Sequence, residues 1–586
     1  MKKNFRRGTA SFLALCTTFS LAACGGGGGG ADQADKDTLY IGVFNGGLGT
    51  EWLTEVLENF TADTGIKTHI DPKKAEYRDD QLLVNMADSR QDVYLLNDNN
   101  YISTYNKGLI ADMTDIATEK VYDEDGELAS LTGKAAVLSI EDKMDEIFLE
   151  YCDVRRFATD VQSETPVYYA LANYATPMMF TYDADLFCDK GYYFDENNML
   201  VLEKGVYNDT KYTDKVVYIL ESDEEITLGS GPDYKMGTLD DGLPITWNDM
   251  ITLFDAMVSD SIIPLTWAGS ASGVYTYTNL LRSIITNYEG AHNIDVLSRL
   301  RGTYNGNNPD IPTEITPSNA YHLTKMNGKL AAIVAMNDIL SNELYFSENA
   351  KKSGQDNLLS QKEYAMSPIY GEGKRVAMYM EASFWEHEAK DYFKAMEKNY
   401  PQYGWGKRNL KAMPVPNFVG VEGVPDQTNT QPVISLSGGG SFIVMNKNVE
   451  KNGKEEMAKK FIQYLHTRTS LATHTVVNGT IRPYDYDITP AEQERMTPYA
   501  RNVWAYYKSA LAGNYDLSCS MKLAPELELH SSDLDFYKLF WSAKKGTESA
   551  GYPYDALYTA GWTVQEYYDA TFTWSYDTFK KIGLAQ

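Results

Sequence analysis

Cysteine is scarce in this chain and is not spaced to build a scaffold. Of the five cysteines, Cys16 and Cys24 belong to the N-terminal leader described below. The other three, Cys152, Cys188 and Cys519, are an odd number without close spacing. This pattern excludes a small disulfide framework and the paired spacing of a zinc site. We therefore predict buried free thiols.

Positive charge is also in short supply. The chain has 53 Lys and Arg against 81 Asp and Glu, which gives a formal net charge of −28 at pH 7. Such an excess of negative charge repels nucleic acid and anionic membrane surfaces. We therefore exclude nucleic acid as a partner and expect no direct binding of the folded body to a membrane.

The sequence lacks the common catalytic signatures. Its seven His are scattered, and neither H-E-x-x-H nor G-x-S-x-G occurs. No G-x-G-x-x-G or G-K-[ST] follows the first predicted strand, no internal repeat is evident, and no segment after the leader is apolar enough for a membrane-spanning helix. These absences argue against a zinc protease, a serine hydrolase, a nucleotide-binding protein and a repeat adhesin.

Aromatic residues, by contrast, are abundant. The chain of 586 residues is 43% hydrophobic and 23% charged, which is typical of globular proteins, and it is long enough for two or more domains. It contains 43 Tyr and 9 Trp. Tyr suits positions that are apolar on one side and wet on the other, so this surplus favours a large recognition surface.

The N-terminus has the features of a bacterial lipoprotein signal. Four basic residues precede an apolar run at 11–21 that is too short to span a bilayer. The run closes on Leu21-Ala22-Ala23-Cys24, which matches the lipobox, so we predict a signal peptide at 1–23 and lipidation of Cys24. The glycine-rich stretch at 24–36 would then act as a tether reaching on the order of 20 Å. The anchor would hold the protein on the extracellular face of the cell membrane.

The first part of the mature chain reads as an open α/β sheet. A strand at Thr38–Phe44 is followed by a helix with apolar residues at Leu53, Val56, Leu57 and Phe60, and then by strands at 66–70 and 92–96. Ligands of such sheets bind beyond the carboxyl ends of the strands. This rule makes four residues candidate ligand contacts: Asn45, Asp98, Asn99 and Tyr101. The alternative for the polar cluster at 97–101 is a plain turn.

The segment 371–387 carries a second group of candidates. A short apolar strand at 376–380 ends in Glu381, Ser383, Phe384, Trp385 and Glu386. Aromatic faces next to hydrogen-bond acceptors suit a polyhydroxylated ligand, whose C–H faces stack on rings while its hydroxyls need partners. We predict ligand contacts at Glu381, Phe384 and Trp385. The alternative is that both aromatic rings fill a core.

Aromatic residues also punctuate the loop at 266–277. Small polar residues surround Trp267 and Tyr275, and the loop has no apolar periodicity that would indicate burial. We predict both as ligand contacts, whereas Trp247, at the start of a predicted helix, is expected to be structural.

A region at about 192–243 alternates β-forming and charged residues and predicts surface hairpins. It ends in a glycine-bent loop that carries Asp233, Asp240 and Asp241. Oxygen ligands on such a loop could wrap Ca²⁺, so these three residues are a speculative structural calcium site. The alternative is an ordinary turn, and no other cofactor is expected.

The order of segments resembles family 1 extracellular solute-binding proteins, the carbohydrate-type receptors of ABC importers. The central motif is Gly373-x-x-x-Ala377-Met378 followed by a turn and Trp385, with Ala382–Ser383 where the family usually has Gly. Further matching segments, in chain order, are 64–68, 91–94, 108–115, 169–172, 182–191, 244–249 and 477–483. The resemblance covers nearly the whole mature chain.

This resemblance implies a fold and its boundaries. We expect an α/β, two-lobed periplasmic-binding-protein-like fold with a hinge, an interlobe ligand cleft and a β-rich surface insertion. Lobe 1 would comprise 37–176 and 417–485, and lobe 2 would comprise 177–416 and 486–586, with crossings near Ala172–Pro177 and Met413–Phe418. By the same resemblance, Trp385 would stack on the sugar, and Asn173 and Ser437 would lie at the cleft.

The resemblance also implies a function. A monomer would capture a carbohydrate, as an oligosaccharide, by hinge closure and deliver it to the permease subunits of an ABC transporter, without enzymatic activity. Three alternatives stay open at this point: a surface glycoside hydrolase using Glu381 and Glu386 as an acid pair, a glycan-binding adhesin, and a receptor for another polar solute such as a peptide.

Overall fold

Two β-sheets organise the chain, one in each lobe. The computed structural model describes residues 36–77, 79–97, 101–158, 161–267, 277–351, 357–371, 373–437, 441–519, 523–530 and 536–586. The predicted leader, the tether and the lipidation site Cys24 lie outside these residues. The predicted fold class, a two-lobed α/β protein with a β-rich insertion, is confirmed.

The first sheet has five strands. Their spatial order is Lys67–Lys73, Thr38–Phe44, Val93–Asn97, Ser441–Met445 and Leu171–Ala172. The first three run parallel, with Ile41 opposite Val93, whereas the strand from Ser441 is antiparallel and places Ser441 opposite Asn97. Parallel strands end at one edge, so Phe44 and Asn97 end their strands at the same side of this sheet.

Short helices surround this sheet and bury the apolar faces that the sequence predicts. The helix Glu51–Thr64 buries Leu53, Val56, Leu57 and Phe60. The other helices of this lobe are Asp79–Asn85, Tyr101–Asn106, Thr114–Thr118, Ala129–Thr132, Ile140–Lys143, Glu146–Cys152, Asn448–Asn452, Glu455–Leu465 and Arg468–Asn478. The last packs against Glu51–Thr64.

The second sheet has six strands. Five follow the order Asp516–Cys519, Val433–Ser437, Thr176–Asp183, Val376–Ala382 and Ile263–Trp267, and Leu410–Met413 also pairs with Thr176–Asp183. Val376–Ala382 runs parallel to Ile263–Trp267 and antiparallel to Thr176–Asp183. All seven residues of Val376–Ala382 are buried, as expected of a central strand covered on both faces.

Helices also cover the second sheet. Those of eight residues or more are Trp247–Ser259, Arg282–Arg299, Asn327–Ser341, Asn357–Met366, Pro498–Leu511 and Val564–Lys581. Shorter helices are Ala184–Lys190, Trp385–Glu388, Lys390–Met396, Pro490–Gln493, Pro525–Leu529 and Phe536–Trp541. Pro498–Leu511 packs on the strand Leu410–Met413. Trp247 is fully buried and donates from Nε1 to Asp338 Oδ2 at 2.9 Å, in line with the structural role predicted for it.

The predicted insertion is a three-stranded antiparallel sheet. Its strands are Gly205–Asn208, Val217–Leu220 and Glu225–Thr227. Buried Tyr218 and Leu220 anchor it to the core of the second lobe. The hairpins predicted for this region are therefore present, although the central strand buries Val217, Tyr218 and Leu220 and does not alternate between a buried and a solvated face.

The chain passes between the two sheets three times, and the last passage lies between the strands Ser441–Met445 and Asp516–Cys519. The sequence predicts the first two with different success. The crossing near Ala172–Pro177 is confirmed, since Leu171–Ala172 belongs to the first sheet and Thr176–Asp183 to the second. The return lies between 437 and 441 and not at Met413–Phe418. Val415 and Phe418 are buried in the core of the second lobe, so the extended Pro-containing segment stays on that side.

The remaining sequence-based expectations on composition can also be compared with the structure. Cys152 and Cys519 are buried and Cys188 is half-buried, all three as thiols rather than disulfides. Among the described residues, no helix combines the length and the apolar character needed to cross a bilayer.

Candidate functional site

The loop that follows the first strand touches the other lobe. Asn45 is half-buried, and its Oδ1 accepts from the N–H groups of Gly47 and Gly49 at 3.3 Å each, which folds the loop on itself. Gly47 has φ +129°, and a Cβ there would lie 2.8 Å from Glu388 Oε1. A residue without a side chain is needed here, because the Glu388 carboxyl of the second lobe packs directly on the backbone.

Two amide side chains orient that carboxyl group. Glu388 Oε2 accepts from Gln361 Nε2 at 2.7 Å and from Asn357 Nδ2 at 3.3 Å. Burial raises the pKa of Glu388, while the hydrogen bond from Gln361 and the charge of Lys74 lower it. The carboxyl is thus presented in a fixed orientation where the two lobes meet.

Ion pairs join the lobes beside this contact. Arg495 makes two hydrogen bonds to Glu55, from Nη1 at 3.1 Å and from Nη2 at 2.8 Å. Lys390 lies 4.0 Å from Glu51, and Arg299 pairs with Glu150. In each pair the acidic residue belongs to a helix of the first lobe and the basic residue to the second lobe. The ion pairs therefore oppose separation of the lobes.

A cavity of about 180 Å³ lies between the lobes next to these contacts. The first lobe contributes residues 476–479, at the end of the helix Arg468–Asn478. The second lobe contributes Ser383, Glu386, His387 and Trp405, and the start of the helix Pro498–Leu511 closes it with Arg495, Thr497, Tyr499 and Ala500. The cavity is therefore built from three segments that are distant in sequence.

Burial sets the charges around this cavity. Desolvation raises the pKa of Glu386 to about 7, opposed by a hydrogen bond from Thr497 Oγ1 at 2.5 Å. It lowers the pKa of His387 to about 4, so the imidazole is neutral at physiological pH. Since Arg495 is paired with Glu55 and a pKa of about 7 leaves Glu386 only partly ionised at neutral pH, the lining is polar and carries little net charge.

Aromatic side chains form a wall at the crossing between the sheets. Tyr174 is half-buried between the last strand of the first sheet and Thr176–Asp183. Its ring stacks on His474 with 6.2 Å between centroids, and Trp52 meets His474 edge-on at 4.6 Å. Glu388 acts on the pKa of Tyr174, which burial raises first of all. The Glu388 carboxyl is therefore close enough to this aromatic cluster for its charge to act on Tyr174.

Trp385 is in the core, so the sugar platform predicted at this residue is wrong in this conformation. Its exposure is 0%, and its Nε1 donates to Thr181 Oγ1 at 2.9 Å. Tyr364, Tyr379 and Tyr499 pack around its ring with centroids at 5.2–5.8 Å. A ring enclosed on all sides offers no face for stacking. The alternative considered for this segment, a core position, holds for Trp385.

Phe384 and Glu381, two further predicted ligand contacts of this segment, differ in how far they are buried. Phe384 keeps part of its surface exposed and is the aromatic residue of this turn that can still stack on a ligand. Glu381 lies inside the strand Val376–Ala382, fully buried, and accepts from Tyr379 and from Gln361 Nε2 at 3.2 Å. Burial, and then Glu388, raise its pKa to about 8. The strand continues two residues past its predicted end, which is why Glu381 does not reach the cleft.

Trp267 and Tyr101 are likewise core residues rather than ligand contacts. Trp267 ends its strand with 0% exposure and stacks on Phe346 at 5.4 Å. Tyr101 is fully buried, and its hydroxyl donates to the Tyr151 carbonyl at 2.5 Å. Tyr101 follows a strand as predicted, whereas Trp267 belongs to the strand Ile263–Trp267 and not to the predicted loop, and both rings pack in the core.

The other predicted contacts fall into two groups. Asn173 lies at the crossing, where its N–H donates to the Ser441 carbonyl at 2.9 Å and its buried Oδ1 has no partner among the described residues. Ser437 is the last residue of the strand Val433–Ser437, and the structure describes only the backbone of this residue. Asp98, Asn99 and Tyr275 lie outside the described residues.

The predicted calcium site is not built for a metal. Every carboxylate oxygen of Asp233, Asp240 and Asp241 accepts a hydrogen bond. Tyr515 donates to Asp240 Oδ1 at 2.9 Å, and Gly237 donates to Asp241 Oδ2 at 2.8 Å. These hydrogen bonds hold the three carboxylates within the protein, although each oxygen keeps a second lone pair. No group of three or more acidic, His or Cys side chains in the described residues is arranged to hold a metal ion.

The sequence did not single out the residues that matter most in this arrangement. Tyr174, His387, Glu388, Trp405 and Asn478 all contribute to the contact between the lobes. Tyr174 follows the predicted Asn173, and His387 and Glu388 follow the predicted turn, so proximity in sequence was an available signal. Trp405 and Asn478 carry no such signal, because only the fold brings them to the turn at Ser383.

Comparison with known proteins places the fold. No family model matches the sequence, and no curated protein matches it. Among solved structures, a chitin oligosaccharide binding protein superposes with a TM-score of 0.51 at 12% identity, over 92% of this chain and 98% of the other. That likeness shows a common two-lobed fold over almost the entire length of both chains.

Two further structures have similar coverage and lower scores. One is a probable secreted solute-binding lipoprotein from Streptomyces coelicolor, with 12% identity, 93% and 99% coverage and a TM-score of 0.49. The other is the Thermus thermophilus maltotriose binding protein bound with maltotriose, with 13% identity, 93% and 100% coverage and a TM-score of 0.48.

Proposed function

We propose that this chain is a lipid-anchored receptor that captures a carbohydrate between its two lobes and delivers it to the permease of an ABC importer. The observation that carries the proposal is the interlobe cavity of about 180 Å³, whose lining combines buried polar side chains with the half-buried ring of Trp405. A sugar needs both, because its hydroxyls require partners while its C–H faces pack on aromatic surfaces.

The shared fold supports this ligand class. The structure that superposes with a TM-score of 0.51 is named for binding chitin oligosaccharide, and the segment order in the present sequence resembles carbohydrate-type receptors. A cleft between two lobes encloses its ligand only when the lobes approach, so capture would proceed by hinge closure where the chain passes from one lobe to the other, as it does at 173–175.

Location and delivery follow from the N-terminus. The lipobox ending in Cys24 and the glycines after it would hold the two-lobed body near the outer face of the membrane. The closed, loaded form would be what the permease subunits recognise, and the body acts as a monomer.

Binding without catalysis is supported by the two acidic residues that a hydrolase would need. Glu381 is enclosed in its strand, and Glu386 Oε2 accepts from Thr497. A glycosidase requires two carboxyl groups that flank an accessible glycosidic bond. Glu381, with its hydrogen bonds to Tyr379 and Gln361, cannot approach such a bond in this conformation.

The test is calorimetric titration of the full-length protein, solubilised in a detergent without a sugar head group. Maltotriose, raffinose and a chitin trisaccharide serve as ligands, with a tripeptide as the control solute. We expect saturable binding of at least one sugar, a smaller radius of gyration by X-ray scattering when it is bound, and an intact sugar on chromatography afterwards. Binding of the peptide alone, or release of shorter sugars, would contradict the proposal.

A further inference from the structure

The end of the helix Arg468–Asn478 places a primary amide in the interlobe cavity. Asn478 is the last helical residue, and Gly479 caps the helix with φ +69°. Its side chain is 2% exposed and lines the cavity, yet neither Nδ2 nor Oδ1 has a hydrogen-bond partner among the residues that the structure describes. Native proteins pair nearly all such groups, so whatever fills the cavity supplies the partner.

Two neighbours in the lining share this property. Ser383 Oγ and His387 Nδ1 are also buried, at 3% and 5% exposure, and have no partner within the described parts of the chain. The three residues therefore bring an N–H₂ donor, a carbonyl acceptor, a hydroxyl and a ring nitrogen to the lining of one cavity. Both lobes contribute such groups to the cavity, since Asn478 belongs to the first lobe and Ser383 and His387 belong to the second.

The charge of the lining selects for neutral ligands. Arg495 is engaged by Glu55, and the Glu386 carboxyl is engaged by Thr497. Burial lowers the pKa of His387 to about 4, which leaves its ring neutral. An anionic ligand group would find only a cation that is already paired, and a cationic group only the partly ionised Glu386, so either would lose its hydration with little compensation.

The volume limits how much of the ligand enters. A cavity of about 180 Å³ is many times the roughly 10–15 Å³ that one ordered water needs on the same measure, which leaves room for a group such as one sugar ring. A longer chain would have to extend beyond this cavity.

We propose that Asn478, together with Ser383 and His387, recognises two adjacent hydroxyl groups on one neutral sugar ring and so determines which carbohydrate the protein accepts. A primary amide carries a donor and an acceptor side by side. It matches a vicinal diol in which one hydroxyl accepts from Nδ2 while its neighbour donates to Oδ1. The inference rests on the proposed function and specifies its ligand.

The experiment compares Asn478→Ala with Asn452→Ala in the full-length protein. Asn452 is a matched control, since it also ends a helix before a left-handed glycine, Gly453, but is exposed and lies outside the cavity lining. Calorimetry with maltotriose, raffinose and the chitin trisaccharide gives the dissociation constants. We expect Asn478→Ala to weaken binding of the preferred sugar about tenfold or more, as two lost hydrogen bonds imply, and Asn452→Ala to leave it unchanged.

A second readout separates recognition from support of the fold. The ratio of affinities among the three sugars should fall towards one in Asn478→Ala, because a structural defect would weaken all sugars alike. If that variant unfolds, Ser383→Ala provides the same test, with an expected loss of several-fold. If a folded variant keeps the wild-type affinities and affinity ratios, only ordered water contacts the Asn478 amide. That result would overturn the inference while the proposed function stands. Failure of the wild-type protein to bind any of the sugars would overturn both.

Discussion

Replacing Trp385 tests the distinction between core and binding surface in the turn after the central strand. Trp385→Ala removes a fully buried indole that four other aromatic rings contact, those of Tyr364, Tyr379, Phe393 and Tyr499. Truncation of a buried Trp typically costs about 3–5 kcal/mol. The indole N–H also loses its hydrogen bond to Thr181 Oγ1.

That hydrogen bond adds little to the total. Thr181 Oγ1 still donates to the Tyr499 hydroxyl at 3.0 Å, so it is not left unpaired. The additional loss is therefore within about 1 kcal/mol. We expect Trp385→Ala to lower the free energy of unfolding by about 3–6 kcal/mol in total.

Urea unfolding followed by tryptophan fluorescence and far-UV circular dichroism measures this change. Phe384→Ala is the matched control, because the neighbouring ring is only partly buried and its truncation should cost much less stability. If Phe384 stacks on the sugar, its variant should instead weaken binding several-fold. A Trp385→Ala protein that unfolds at the wild-type urea concentration would refute the core assignment.

Three further predictions address pH, salt and the anchor. Burial raises the pKa of Glu381 from 4.5 to about 8, so the folded state holds this proton more tightly than the unfolded state; stability is full below about pH 4.5 and falls as pH rises towards 8. Glu381→Gln should therefore lessen the loss of stability between pH 5 and 8, by as much as about 5 kcal/mol. The control Glu494→Gln, at an exposed position, should not change it, and equal urea midpoints for the two variants at pH 8 would contradict the prediction. Arg495→Gln should weaken sugar binding by up to about fivefold at low salt and less at 1 M NaCl, because it removes a partly exposed interlobe ion pair; the same loss in a Glu55→Gln protein and no further loss in the double variant would identify the pair as the cause. Cys24→Ser should release the protein from the membrane fraction or leave its signal uncleaved, and normal retention of the processed form would exclude the lipid anchor.

The local pattern of the sequence determined most of the secondary structure. The strand Thr38–Phe44 and the helix Glu51–Thr64 follow from β-forming residues and from a 3.6-residue apolar period, which are properties of neighbouring residues. The hairpins of the insertion follow from their β-forming residues for the same reason. The Gly-rich loop after the strand Thr38–Phe44 also lies at the edge of its sheet that meets the other lobe, as expected where parallel strands end.

Only the tertiary structure decided which side chains at those edges are available to a ligand. The strand Val376–Ala382 is buried on both faces, so it has no alternation to mark its end, and two more residues than expected joined it, Glu381 among them. Trp385 and Trp267 then turned inwards because the helices over the sheet provide aromatic partners that are remote in sequence. Conversely, Trp405 and Asn478 reach the cleft through packing between lobes. Such long-range contacts depend on the whole fold, and no local spacing encodes them.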